Sequence, residues 1–152
     1  FDLVSPNTPV YSRARYLPPT ILRNATVRDS LIADGCQIGS GTVIENSIIG
    51  LRSVIGDNVT IKNSILMGAD YYAGSIKAGD LPGQVPLGIG DGSYIQGTIV
   101  DKNCRIGKNV KIDVLPNSPD TDINHPQFVV RDGVAIVVKD ANLPDGWELV
   151  QK

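Results

Sequence analysis

Three cations in this sequence have the residue types and settings that an anion-binding site requires. Lys102 lies in the phrase IVDKNCRIG, Lys139 in VVKDA, and Arg15 in a proline-rich stretch near the amino terminus. Ammonium and guanidinium groups that converge bind phosphate or a sugar phosphate through charge-assisted hydrogen bonds. The alternative interpretation is three unrelated surface cations, and composition alone favours it.

Other chemistry-bearing residues give little indication of a catalytic site. The single histidine, His125, has no metal-ligand spacing to any cysteine or carboxylate. No glycine-rich phosphate loop leads into a helix. The two cysteines, Cys36 and Cys104, are too few for a disulfide framework, which favours a reducing, cytoplasmic compartment. We therefore predict no catalytic residues, no metal and no cofactor within this chain.

The composition sets the class of protein. The 152 residues fit one domain, with 41% hydrophobic residues, 20% charged residues and a formal net charge of -2. This balance argues against a nucleic-acid surface. No apolar run approaches the roughly 20 residues of a membrane helix. Because the chain starts at Phe1 rather than Met, we expect a fragment of a longer protein.

The element that must position the cations is a repeat of 17 residues. Rows that start at Ile21, Ile38, Ile55, Ile89 and Ile106 align without gaps, and in each row three columns are branched and apolar. The first column holds Ile21, Ile38, Ile55, Ile89 and Ile106, the seventh Val27, Ile44, Ile61, Ile95 and Ile112, and the twelfth Ile32, Ile49, Leu66 and Val100. The pattern predicts a triangular parallel β-helix with one buried residue on each side of each coil.

Smaller residues in the same rows give two further predictions. Cys36 and Cys104 share a column three rows apart, about 14 Å at the usual spacing of strands, so both thiols should be free and buried. Glycines follow the first column, where we expect tight corners that need a permissive backbone: Gly39, Gly56, Gly90 and Gly107.

The segments outside the rows divide the chain. Residues 1–20 contain four prolines and are predicted to be a linker or docking segment, with the β-helix domain over residues 21–152. Residues 68–88 and 113–127 interrupt the rows as loops, the first with a possible helical turn near residues 75–78. Asp132-Gly133 indicates a turn, after which a terminal strand should cover the end of the helix.

Several phrases closely resemble one family. The matching stretches are RYLPPT (15–20), IIGLRSVI (48–55), NSILMGADYY (63–72), VPLGIG (85–90), IVDKNCRIGKNVKI (99–112) and DGVAIVVKDA (132–141). They are similar to the C-terminal domain of ADP-glucose pyrophosphorylase (glucose-1-phosphate adenylyltransferase) of the cyanobacterial and plant type. This resemblance covers nearly the whole chain and implies that the β-helix is all-β and left-handed.

The resemblance also implies a function and a site. The parent enzyme would join ATP, with Mg2+, and glucose 1-phosphate into ADP-glucose and pyrophosphate, for glycogen or starch synthesis. This chain would regulate the parent enzyme by binding a phosphorylated effector such as 3-phosphoglycerate or phosphate. It would also help to assemble the enzyme by contacting the catalytic domain of the same polypeptide and other subunits of a tetramer. The effector-binding lysines fall on Lys102 and Lys139, and an arginine on Arg15. Arg13 stands where the family usually has glutamine and adds a second cation.

Two other functions remain open for the same fold. A hexapeptide-repeat acyltransferase is also a left-handed β-helix, but it uses a histidine between subunits, and His125 lies in a loop. A purely structural oligomerisation module would bind no ligand. Since the chain lacks the catalytic domain, we expect it to synthesise no ADP-glucose by itself. We expect the protein in the cytoplasm or, for a plant or alga, in the plastid.

Overall fold

A computed structural model describes residues 5–9, 11, 13–75 and 80–151 of the chain. In this part every regular element is a β-strand, and the strands stack into three sheets of six. The helical turn predicted near residues 75–78 falls mostly outside the described residues.

Each sheet takes one strand from each successive coil. The first contains β1 (Ile21–Leu22), β4 (Gln37–Ile38), β7 (Val54–Ile55), β10 (Gly88–Ile89), β13 (Arg105–Ile106) and β17 (Asn142–Leu143). The second contains β2 (Thr26–Arg28), β5 (Val43–Glu45), β8 (Thr60–Lys62), β11 (Tyr94–Gln96), β14 (Lys111–Val114) and β18 (Glu148–Gln151). The third contains β3 (Leu31–Ile32), β6 (Ile48–Ile49), β9 (Ile65–Leu66), β12 (Thr98–Val100), β16 (Val134–Val137) and β15 (Phe128–Arg131).

The predicted columns form the core of the prism. Ile44 pairs with Ile61 in parallel register, and both side chains are fully buried. The same holds in the next coils, where Ile61 pairs with Ile95 and Ile95 with Ile112. Branched side chains fit this arrangement because each lies directly above its counterpart at the spacing of neighbouring strands.

The first row, however, starts one residue later than predicted. Leu22, rather than Ile21, pairs with Ile38, while Val27 still pairs with Ile44. The prediction of Ile21 for the first column was therefore wrong. Both residues are about half exposed in this end coil, so burial does not distinguish them, and only the pairing register does.

The corners turn at residues with left-handed backbone, which lie two positions after the glycines that we predicted for this role. One corner stacks Gly41, Asn58, Gly92 and Asn109, all at positive φ. Asparagine tolerates this region better than most residues that have a side chain. The left-handed turn is therefore available at each coil without glycine in every row.

The glycines after the first column have another physical reason. Gly56 does not have a positive φ, but an added Cβ would collide with the backbone of Asp91 in the next coil. Gly39 lies in the same way against Gly56. Our explanation by permissive backbone was wrong, because close stacking of the coils excludes a side chain here.

Hydroxyl side chains in the second and fourth coils make hydrogen bonds to backbone groups inside the prism. Ser93 Oγ donates to the Gly107 carbonyl at 2.9 Å and accepts from the Val110 amide at 3.1 Å. Thr42 makes the equivalent contacts two coils earlier. These hydroxyls satisfy backbone groups that would otherwise be buried without partners.

The end of the chain adds a further coil. β16 pairs in parallel with β12, and β17 and β18 continue the first and second sheets, so Val134–Val137 is not a cover as predicted. Instead β15 pairs antiparallel with β16 and forms the edge of the third sheet. The chain leaves the coils between Leu66 and Gly88 and between Val114 and Phe128.

Candidate functional site: a cationic groove at one corner

The corner between the third and first sheets carries the two predicted lysines. Val100 pairs with Val137, so Lys102 and Lys139, each two residues further on, occupy the same corner of adjacent coils. The Asp140 amide donates to the Lys102 carbonyl at 3.0 Å, which fixes this stacking. Two cations that are 37 residues apart in sequence are thus brought to neighbouring coils.

The amino-terminal segment reaches the same corner from the other end. The Gly35 amide donates to the Pro18 carbonyl at 2.9 Å, and Thr20 Oγ1 donates to the Ala33 carbonyl at 2.6 Å. Thr20 also accepts a hydrogen bond from the Cys36 amide. These bonds attach residues 18–20 to the corner of the first coil, next to Arg15 and Arg13.

A groove of about 600 Å³ lies where these parts meet. Among the residues that the structure describes, its lining combines four cations with a single carboxylate: Arg13, Ala14, Arg15, Leu51, Arg52, Met67, Ala69, Asp70 and Lys102. Such an excess of positive charge favours an anionic ligand, because several donors can bind its oxygens at once. In the chain as a whole, acidic residues outnumber Lys and Arg, so the positive charge is local to this corner.

Lys102 and Asp70 form the polar centre of the groove. Lys102 Nζ lies 2.9 Å from Asp70 Oδ1, and Asn103 Nδ2 donates to Asp70 Oδ2 at 3.2 Å. The hydrogen bonds from Lys102 and Asn103 hold the pKa of Asp70 below its ordinary value. Both members of the pair keep more than two fifths of their side-chain surface exposed, so Lys102 is accessible to a ligand.

Arg52 is a fourth cation that the sequence analysis did not assign. It lies in the second coil with a left-handed backbone, at a φ of 58°, and its Nη1 donates to the Ala69 carbonyl at 3.2 Å. The repeat could have identified it, because Arg52 and Ala69 are 17 residues apart and therefore share a corner.

The structure therefore brings together three of the four predicted site residues. Arg13, Arg15 and Lys102 line one groove, and Arg15 Nη1 donates to the Arg13 carbonyl at 3.3 Å. Lys139 is exposed on the adjacent coil and does not line the groove. Its positive charge nevertheless helps to lower the pKa of Asp70, so Lys139 contributes to the electrostatic potential at the groove.

Arg105 anchors the inserted segment that supplies Asp70. It projects outward from β13 but is buried beneath the segment, where Nη2 lies 2.6 Å from Asp80 Oδ1 and Nη1 donates to the Val85 carbonyl at 3.0 Å. Further along the same corner, Tyr72 Oη donates to the Gly35 carbonyl at 2.7 Å. The inserted segment is thus attached to the coils at two separate places.

The two cysteine thiols are buried in the prism, and the histidine packs within its own loop. Cys36 and Cys104 are free and buried, as predicted, and burial raises the pKa of Cys104 to about 12. His125 Nδ1 accepts from the Gln127 and Phe128 amides at 3.3 Å, while its ring packs against Phe128. A thiol that stays protonated is a poor nucleophile.

Within the ranges that the structure describes, no group of three or more His, Cys, Asp or Glu side chains has an arrangement that could hold a metal ion. The described part of the chain also contains no helix with the length and hydrophobicity of a membrane span.

Coils of 17 residues, three sheets in which successive coils pair in parallel, and asparagine-rich corners define a parallel β-helix of the hexapeptide-repeat class. Within this class, residues 15–147 match the model of the GLGC left-handed parallel beta-helix domain. The chain belongs to that family, which confirms the left-handed, all-β fold and the resemblance to the C-terminal domain of ADP-glucose pyrophosphorylase.

Proposed function

We propose that this chain is the regulatory and assembly domain of a glucose-1-phosphate adenylyltransferase and that its cationic groove binds a phosphorylated effector. The observation that carries the proposal is the convergence of Arg13, Arg15, Arg52 and Lys102 on one groove, with Lys139 on the next coil. Phosphate and 3-phosphoglycerate are the effectors that the cyanobacterial and plant type of this family would use.

The groove has the donors that a phosphate group needs. A guanidinium can bind two phosphate oxygens in one plane, and an ammonium adds a compact point charge. Lys102 approaches from a rigid coil, while Arg13 and Arg15 approach from the amino-terminal segment. A ligand bound between the lysine and the two arginines would join the amino-terminal segment to the coils. Effector binding could then be transmitted through this segment to the catalytic domain.

Isothermal titration calorimetry of the chain with phosphate and with 3-phosphoglycerate tests this proposal. Lys102→Ala should weaken binding about tenfold, equivalent to about 1.4 kcal/mol. Lys111→Ala is the matched control, because Lys111 is an exposed lysine on the second sheet, and it should leave binding unchanged. Equal affinities for the Lys102→Ala and unaltered chains would contradict the role of the groove.

The assembly part of the proposal is supported by the first coil. Leu22 is 51% exposed and Val27 is partly exposed, whereas their counterparts in the second coil, Ile38 and Ile44, are fully buried. Apolar interior that is exposed at the end of a β-helix favours contact with another part of the protein. We propose that the catalytic domain of the parent enzyme packs there and that the whole enzyme is a tetramer.

Leu22→Glu in the full-length parent tests this contact. A buried charge should loosen the two domains and speed proteolytic cleavage between them. Leu81→Glu is the matched control, since Leu81 is 68% exposed on the inserted segment. Unchanged cleavage with Leu22→Glu would exclude this end of the prism as the docking surface.

The catalytic part of the proposal concerns the parent enzyme. It joins ATP and glucose 1-phosphate, with Mg2+, in the cytoplasm or plastid, while the chain described here synthesises no ADP-glucose by itself. Turnover of ATP and glucose 1-phosphate by the purified chain would contradict this assignment.

A further inference from the structure

Asp70 is the only carboxylate among the described residues that line the groove. Its Oδ1 accepts from Lys102 Nζ at 2.9 Å, and its Oδ2 accepts from Asn103 Nδ2 at 3.2 Å. The Asp70 amide also donates to Asn103 Oδ1 at 2.9 Å. This carboxylate therefore already occupies donors that an incoming anion would use.

Asp70 does not belong to the regular coils. In the first, second and fourth coils the corresponding position holds a small residue inside the prism, namely Cys36, Ser53 or Cys104. In the third coil the Ala69 amide still donates to the Leu51 carbonyl, but the next residue, Asp70, is exposed on the outside of the corner. The insertion thus converts an interior position into a charged group at the groove.

The geometry places Asp70 in the field of any anion that contacts Lys102. A phosphate oxygen makes a hydrogen bond of about 2.8 Å to an ammonium group. It would then lie within about 6 Å of Asp70 Oδ1, because the ammonium is 2.9 Å from that oxygen. Like charges at this distance repel, and the repulsion doubles when the ligand carries two negative charges instead of one.

We propose that Asp70 is a built-in competitor that sets the affinity of the groove for anions and its discrimination by ligand charge. This inference rests on the proposed anion-binding function of the groove. Asp70 holds Lys102 when no effector is bound, and a phosphate must share or displace that contact. Weak binding then requires a high effector concentration, as a regulatory site needs in order to respond to changes in that concentration.

Calorimetry of the chain with Asp70→Asn tests the proposal. The amide keeps the size of the side chain and an acceptor for Lys102 but removes the charge. We expect phosphate and 3-phosphoglycerate to bind about tenfold more tightly, from the repulsion between one charge and a dianion at about 6 Å in water. Asp91→Asn is the matched control, because Asp91 forms an exposed pair with Lys108 outside the groove and should leave affinity unchanged.

A second readout separates competition from mere positioning of Lys102. The gain in affinity of Asp70→Asn should be larger for the phosphate dianion at about pH 7.5 than for the monoanion at about pH 5. A purely structural role would give the same factor at both pH values. Suppose that the unaltered chain binds phosphate and that Lys102→Ala loses this binding. Equal or weaker binding by Asp70→Asn would then overturn this inference and leave the proposed function intact. If neither the unaltered chain nor Asp70→Asn binds phosphate or 3-phosphoglycerate, the proposed function fails as well.

Discussion

The second coil and the interrupted corner use the same 17-residue repeat in opposite ways. In the coil, Ile38, Ile44 and Ile49 are fully buried, and each lies on a counterpart in the next coil. At the corner, the inserted segment leaves the prism and charged side chains surround an open groove. A small cavity of about 30 Å³ remains beside the start of the insertion and is lined in part by Leu66 and Ala69.

The contrast shows how a rigid repeat gains a binding surface. Stacked columns supply stability from contacts that are nearly the same in every coil, so one coil can lose a corner without loss of the fold. The lost corner then tolerates charges that the interior excludes. Substitutions in the coils should therefore affect unfolding, and substitutions at the corner should affect binding.

The largest expected effect is in the middle of the prism. Ile61→Ala should lower the free energy of unfolding by about 3 to 4 kcal/mol, because Ile61 is fully buried between two coils and leaves a cavity. Ile65→Ala, on the outer face of the same coil at 42% exposure, should cost less than about 1 kcal/mol. Urea unfolding followed by circular dichroism measures both, and similar losses would contradict the assignment of inner and outer faces.

Gly56→Ala should be the next most destabilising change, by about 2 kcal/mol, because the new methyl group meets the backbone of Asp91. Ser40→Ala, at an exposed position in the neighbouring coil, serves as its comparison and should have little effect on the urea midpoint. If Gly56→Ala were neutral, close stacking would not explain the glycine column.

Ser93→Ala should cost about 1 to 2 kcal/mol. The substitution leaves the Gly107 carbonyl and the Val110 amide without their hydroxyl partner inside the prism. Ser93→Thr should retain most of the stability, since Thr42 makes the same contacts in its own coil. Thermal unfolding of the two variants would show whether the hydroxyl or only the small volume matters.

The smallest effect on stability should come from the groove. The folded protein lowers the pKa of Asp70 below its ordinary value of 3.8, so the contribution of this group is present above that value and is lost as the pH falls through the lowered pKa. Asp70→Asn should remove at most about 1 kcal/mol at about pH 7, as for other exposed ion pairs. Urea titrations at about pH 7 and about pH 2.5 should show a smaller difference between the two proteins at the lower pH, and a large loss at both would indicate a structural role instead.

The coils could be predicted from the sequence because each column repeats a physical requirement. Ile44, Ile61 and Ile95 must all be large and apolar, since each packs between its neighbours. The register of the first coil could not be predicted, because Ile21 and Leu22 are adjacent and equally apolar. Only the pairing of Leu22 with Ile38 distinguishes them.

The groove was predictable only in part. Lys102 and Lys139 stood out as candidate cations, but only a resemblance assigned them to an effector site. The stacking of their coils depends on how the chain between Val114 and Phe128 returns to the prism. Arg105 gave no signal in the sequence, because an arginine on an outward position of a strand is normally solvated. It becomes buried only because the inserted segment folds over it.

The sequence by itself determined the period, the three apolar columns and the free thiols, because these follow from side-chain volume and polarity repeated at fixed spacing. The tertiary structure alone decided which residues meet at the corner. Arg15, Arg52, Asp70 and Lys102 come from different coils and from two irregular segments, and their proximity depends on where those segments leave and rejoin the prism. Such paths are set by individual contacts, such as Arg105 with Asp80, rather than by any repeating pattern.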